Sequence, residues 1–365
     1  MGLKVTGARV FDGVRLTDGP VTVTQGRFGG AGGAEVVLDG GILMPGFVDL
    51  QVNGGDGVMF NDAPTAETLG RMAQAHARLG ATTILPTLIT APREVVAQAI
   101  EAVASADIPG IAGLHLEGPH LALSRKGAHT AAYVRPMDLE DLAMLCDAAQ
   151  RLPVLKVTVA PEVVTPDQIA ALVQAGALVS LGHSDCTGAQ ALAAQAAGAT
   201  CVTHLFNAMS QMGGRTPGLV GAALATPALR AGVIADLIHV DALSLKAALA
   251  AKPEGLFAVS DAMAVAGSDA RAFHLDGRRV ARHEGRLTLD DGTLAGADLD
   301  LATAVRNLLS IGVPEARALH MVTGAPGAVI GRGGRLDAGA PADFVWLDET
   351  YQLRRVWRAG QEITI

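Results

Sequence analysis

Cysteine is scarce in this chain. Cys146, Cys186 and Cys201 are the only three in 365 residues. An odd and widely spaced set excludes a disulfide framework and is expected of a reduced, cytoplasmic protein. Cys186, three residues after His183, could be offered as a soft metal ligand, but a lone cysteine reads more simply as a buried, inert thiol. A basic stripe is also missing. The net charge of −8 leaves nothing to neutralise a run of phosphates, which excludes nucleic acid as a partner. An anionic small molecule stays open, because it needs only a local cation. No uncharged apolar run reaches the ~18 residues of a membrane span, and no apolar signal region opens the chain. Gly2 in MGLKVT fits the loose myristoylation pattern, yet these residues read better as an opening β-strand. The 44 glycines and 17 prolines are dispersed and form no low-complexity linker. No GxGxxG follows the first barrel-like strand, which removes the usual dinucleotide reading.

Half the residues are hydrophobic and only 18% are charged, enough for a large buried core. Short alternating runs separated by Gly/Asp turns occupy residues 3–43, and similar material returns in ADFVWLDETYQLRRVWRAGQEI. Residues 1–43 and 330–365 are therefore expected to meet in one small β-sandwich domain. Between them, residues 44–329 alternate apolar strands with helical stretches. The strands are LMPGFVDLQVN (43–53), TTILPTLIT (82–90), IAGLHLEG (111–118), PVLKVTVAPE (153–162), LVSLGHS (178–184), CVTHLFN (201–207), AGVIADLIHV (231–240) and LFAVSDAM (256–263). Asp300 caps a final helix, LATAVRNLLSIG. Eight strands alternating with helices over about 260 residues predict an α/β fold, a (β/α)8 TIM-like barrel, with a doubly wound open sheet as the alternative.

Five polar residues stand at or beyond the ends of these apolar runs: Glu117, His183, His204, His239 and Asp261. In a barrel all strand ends share one face, so residues far apart in sequence converge. Glu117, His183 and His204 form the best metal-ligand set. One carboxylate and two imidazoles leave a coordination position for water, as in a catalytic zinc site. Asp261 is the general base and acid beside it. Gln51 and Asn53 close the first strand. Amides are poor ligands for a second zinc, which favours one divalent metal per subunit, with Gln51 or Asn53 placed to hydrogen-bond the water it holds. Zinc fits the donors, while Fe2+, Co2+ or Mn2+ could take the same set. His76, His274, His283 and His320 hold no such position.

The segments HLEGPH, RKGAH (125–129), GHS (182–184), THLFNAM (203–209), GRTPGLVGA (214–222), VSDAMAVAG (259–267) and GTLAG (292–296) occur in that order. Together they resemble the N-acetylglucosamine-6-phosphate deacetylase family of the amidohydrolase superfamily. In that superfamily PGFxD is usually followed by His-x-His, where this chain has Gln51 and Asn53. The resemblance implies metal-dependent hydrolysis of the N-acetyl group of N-acetyl-D-glucosamine 6-phosphate. It implies Glu117, His183 and His204 as ligands, Asp261 as acid/base, and His239 on the substrate carbonyl. It places Ala128 and His129 on the sugar, Asn207, Ala208 and Arg215 near the phosphate, and Leu294, Ala295 and Gly296 at the acetyl end. It further implies a homodimer in which Arg215 reaches the neighbouring site. Loop 118–136 is a lid by position. The competing readings are a hydrolase of another N-acyl sugar phosphate or cyclic amide, and an inactive ligand-binding barrel.

Overall fold

A computed structural model describes residues 2–365. Eight parallel strands lie side by side in chain order: Phe47–Val52, Ala81–Ile89, Leu114–Glu117, Leu155–Val159, Leu178–Leu181, Cys201–Val202, Arg230–Val233 and Leu256–Ala258. Their side chains are almost all buried, as in a parallel sheet covered by helices. The eighth strand meets the first through a parallel bridge between Val52 and Ala262, and the Asn53 N–H donates to the Ala262 carbonyl at 2.8 Å. This closes the expected barrel, and the alternative open sheet falls away.

Local sequence explains the helical layer. Thr165 and Thr187 each accept from the backbone N–H three residues on, while Gln168 and Gln190 reach back, forming two capping boxes. Asp300 caps Leu301–Ser310 as read, accepting from Thr303 N–H at 2.7 Å, but this is not the final helix, since Glu315–Met321 and Gly324–Ile330 follow it. No helix among the described residues is long and apolar enough to cross a membrane.

The run LMPGFVDLQVN does not form one strand. Ile42–Pro45 joins a six-stranded sheet made by both ends of the chain, and Phe47–Val52 begins the barrel. Gly46 divides them because a Cβ there would fall 2.0 Å from Thr82 Oγ1. In that sheet Phe344–Leu347 pairs with Ile42–Pro45 on one edge and with Leu353–Arg358 on the other. A four-stranded sheet that includes Gly2–Thr6 and Val21–Thr24 packs against it. Val5, Val23, Phe28, Phe344 and Trp357 form their shared core, with the Phe344 and Trp357 rings stacked at 4.5 Å.

A third β-unit was not expected. Ala272–Leu275, Arg278–His283, Arg286–Thr288 and Leu294–Ala297 form an antiparallel sheet inserted after the eighth barrel strand. Its own core of Phe273, Val280, Leu287 and Ala295 packs with Met59 and Met263 beside the barrel mouth. The sequence does carry the signal. Asp276–Gly277 and Glu284–Gly285 both adopt positive φ, the two-residue hairpin geometry that an acidic residue followed by glycine favours.

Candidate active site and metal centre

The third, fifth and sixth strands deliver Glu117, His183 and His204 to one point, where one ligand atom from each lies within 4.8 Å of the others. His183 Nε2 stands 3.0 Å from His204 Nε2 and 3.2 Å from Glu117 Oε1, and His204 Nε2 is 2.9 Å from the same oxygen. His183 Nδ1 bonds to the Arg125 carbonyl at 2.8 Å, which makes Nδ1 the protonated nitrogen and turns the Nε2 lone pair inward. Three inward-facing donor atoms, two imidazole nitrogens and one carboxylate oxygen, fit a cation. His204 Nδ1 is buried without a partner among the described residues. Burial opposes ionisation of Glu117, but the His183 and His204 rings against it hold its pKa well below the usual carboxylate range. Cys186 is not part of this set. Burial pushes its thiol up to about 11, so it stays protonated.

Asp261 follows the eighth strand and is 8% exposed. Its Oδ1 accepts from Asn53 Nδ2 at 2.8 Å and from Gln51 Nε2 at 3.1 Å. Oδ2 has no donor among the described residues. Burial, and then the nearby Glu117 charge, raise its pKa, which suits a group that takes and returns a proton. Gln51 Nε2 also lies 3.2 and 3.3 Å from the two Glu117 oxygens. The two amides thus hold the carboxylates of Glu117 and Asp261. Below them, Asp49 accepts from the Gln51 and Ser260 N–H groups and ties the first strand to the eighth. Burial raises its pKa to about 6.

His239 lies beyond the seventh strand. Its Nδ1 is 2.6 Å from Asp236 Oδ2, and Asp236 Oδ1 accepts from the Ile238 and His239 N–H groups. Burial works against the Asp236 charge, but the His239 hydrogen bond prevails and lowers the pKa. Asp236 therefore fixes the ring with Nδ1 protonated and Nε2 free for the cleft. His129 bonds Thr90 Oγ1 through Nδ1 at 2.7 Å and packs its ring 4.3 Å from that of His183. Burial, with the neighbouring His183, lowers its pKa to about 3, so it is neutral.

These groups line a cleft of about 360 Å³ at the barrel mouth, with Ala128, Asn207, Ala208, Leu294 and Gly296 in its wall. Three expected residues do not line it: Gln51, which is fully buried and bonded to Glu117 and Asp261, Ala295 and Arg215. Ala295 points into the core of the inserted sheet, as alternation along Leu294–Ala297 requires. Arg215 is exposed on the loop after the sixth strand. Loop 118–136 runs over the cleft and is tied to the inserted sheet, Thr130 donating to Asp276 and Arg278 to the Ala128 carbonyl. Sequence reasoning missed Asp236, Asp49, Thr90, Thr293 and Arg125. The Asp-x-x-His spacing of Asp236 and His239 was the one available signal. The expected strand ends are themselves turns: His183, His204, Phe206, Ala208, Leu237 and Asp261 all adopt positive φ.

Residues 42–363 match the amidohydrolase family. An N-acetylgalactosamine-6-phosphate deacetylase of Shewanella sp. (strain ANA-3) is 44% identical over 333 residues, covering 89% of this chain and 84% of that protein. An N-acetylglucosamine-6-phosphate deacetylase of Haemophilus influenzae is 35% identical over 326 residues, covering 87% and 85%. Among solved structures, N-acetylglucosamine-6-phosphate deacetylase from Pasteurella multocida superposes with a TM-score of 0.94 at 31% identity, over 100% of both chains.

Proposed function

The chain belongs to the amidohydrolase family, and we propose that it hydrolyses the N-acetyl group of N-acetyl-D-glucosamine 6-phosphate to D-glucosamine 6-phosphate and acetate. The observation that carries this reading is the convergence of Glu117, His183 and His204 beside an Asp261 whose Oδ1 is occupied by two amides. Glu117, His183 and His204 would hold one divalent cation, zinc by ligand preference, which supplies Lewis-acid charge and an activated water at that point. Asp261 Oδ2 takes the proton of the attacking water, because Oδ1 already accepts from Gln51 and Asn53. His239, oriented through Asp236, in its doubly protonated form donates from Nε2 to the acetamide carbonyl oxygen as negative charge develops there. Asp261 then gives its proton to the sugar nitrogen as the C–N bond breaks, and acetate leaves. Gln51 and Asn53 serve this scheme by orienting the two carboxylates through their NH2 groups, which leaves Gln51 Oε1 and Asn53 Oδ1 for the water contact expected from sequence.

Asn207, Ala208 and a cation would receive the 6-phosphate, while Ala128, His129, Leu294 and Gly296 would shape the sugar and acetyl subsites. Arg215 can serve that phosphate only from a second copy of the chain, so this reading includes a homodimer. An apolar groove beside the same loop supports it, formed by Phe206, Met212, Val220, Leu224 and Ala251, with Met212 63% exposed. Sedimentation at twice the chain mass of 37.2 kDa is the expected result. Three free thiols suit a reducing cytoplasm.

A second reading is the galactosamine epimer as substrate, favoured by the 44% identical relative from Shewanella. Acetate release from both 6-phosphates, before and after chelation and zinc restoration, tests both readings. Chelator-sensitive release is expected, and the larger kcat/KM names the epimer. No release from either by fully metallated protein would overturn the function.

A further inference from the structure

The mouth cleft is lined by two buried carboxylates, Glu117 and Asp261, in a chain that is acidic as a whole. A phosphorylated sugar entering it needs positive charge close at hand. Among the described residues, Arg125 is the one Lys or Arg in its wall. It lies in the short turn Leu123–Arg125 of the loop after the third strand. Its backbone and side chain have separate tasks. The carbonyl accepts from His183 Nδ1 and so locates the residue relative to the ligand set. The guanidinium reaches Asp185 instead, with Nε at 2.9 Å and Nη2 at 2.8 Å from the same oxygen, Oδ1. Nη1 donates to no group among the described residues.

Asp185 brings that guanidinium to the end of the cleft where Asn207 and Ala208 lie. The preceding residue, Ser184, donates its N–H to the Ala208 carbonyl at 3.1 Å and bridges to Met209. Arg125, Asp185 and the Asn207–Ala208 turn are thus neighbours across two strand ends. The side chains of Arg125 and Asp185 are 37% and 48% exposed. A pair this open to water is weakly held, whereas a guanidinium on a phosphate dianion makes a charge-assisted, fork-like contact. The dianion therefore competes well for the free edge of the guanidinium while Asp185 keeps the other edge in place.

We propose that Arg125 is a specificity-determining residue that contacts the 6-phosphate from within the same subunit. The proposal rests on the reading that the substrate is a sugar 6-phosphate. It makes the cleft partly competent for phosphate without Arg215 of a second copy.

The test compares wild type with Arg125→Met, which keeps the aliphatic stem, and Arg125→Lys, which keeps the charge but not the fork. Steady-state deacetylation is measured on phosphorylated and unphosphorylated N-acetylglucosamine, with bound metal quantified in each variant. For Arg125→Met, KM for the phosphorylated sugar should rise about 10–100-fold, the loss of one charge-assisted contact, with kcat nearly unchanged. kcat/KM for the unphosphorylated sugar and the metal content should not move, because the His183 anchor is the Arg125 backbone. Arg125→Lys should recover part of the loss. An equal fall on both sugars, or no change on either, would overturn the proposal while leaving the deacetylase reading intact. If wild type releases no acetate from any sugar phosphate, calorimetric titration with inorganic phosphate decides for Arg125 alone. Binding that Arg125→Met abolishes upholds the site, and binding that is absent or unaltered rejects it.

Discussion

Positive backbone φ means different things at the barrel mouth and in the rest of the molecule. Elsewhere, non-glycine residues with positive φ sit in turns, and Gln25, Asp56, Asp276, Glu284 and Ala359 are each followed directly by glycine. At the mouth, His183, His204, Phe206, Ala208, Leu237 and Asp261 adopt the same conformation with no glycine after them. Each costs on the order of 1–2 kcal/mol relative to ordinary backbone. The two ends of the barrel differ in the same sense. The cleft at the mouth, about 360 Å³, gathers buried carboxylates and imidazoles, while a larger one of about 860 Å³ at the opposite end is walled largely by glycines and exposed side chains. Volume does not mark the site. Buried charge held on strained backbone does, and the terminal sandwich, with its stacked Phe344 and Trp357, contributes stability without chemistry.

Substitutions at the two ends should therefore separate activity from stability. Asp261→Asn keeps the hydrogen-bond acceptor for Asn53 and Gln51 but removes the proton acceptor, so kcat should fall on the order of 100–10,000-fold. Bound metal and thermal midpoint should stay near wild type, and single-turnover acetate release with metal analysis checks this. Near wild-type kcat would break the comparison at its centre. Trp357→Ala in the sandwich core should do the reverse, costing about 3–5 kcal/mol in denaturant unfolding with kcat nearly unchanged below the transition.

The smallest effect falls between the two ends, at Asp49. Its folded pKa of about 6 exceeds the unfolded value near 3.9, so the folded state keeps a proton that the unfolded state has released. Stability from this group is present at low pH and declines as pH rises through about 4 to 6. Asp49→Asn cannot ionise. Its stability relative to wild type should rise over that window by on the order of 2–3 kcal/mol and stay flat above it. A difference that is constant between pH 4 and 7, read from urea midpoints, would show that Asp49 is already paired or solvated.

Much was legible in the chain because apolar runs of strand length end at single polar residues. Glu117, His183, His204 and Asp261 could be picked out this way, and Thr165, Thr187 and Asp300 marked helix starts through chemistry confined to one turn. What lay beyond reach depended on pairs distant in sequence. Gln51 bonds Asp261, 210 residues away, and nothing local tells whether an amide faces a water or a carboxylate. Gly46 splits an apolar run because Thr82 packs against it, a contact no periodicity records. Arg215 and Arg125 show the same limit, since either could be assigned to a phosphate until one was found outside the cleft and the other in its wall. The sequence by itself determined the alternation of strands and helices, the ligand types and the absence of a second histidine pair, all properties of residues and their near neighbours. Only the tertiary structure decided which side chains share a pocket, which oxygen of Asp261 is free and which cation lies in the wall of the subunit's own cleft. Those depend on barrel closure, which brings together strand ends separated by up to about two hundred residues.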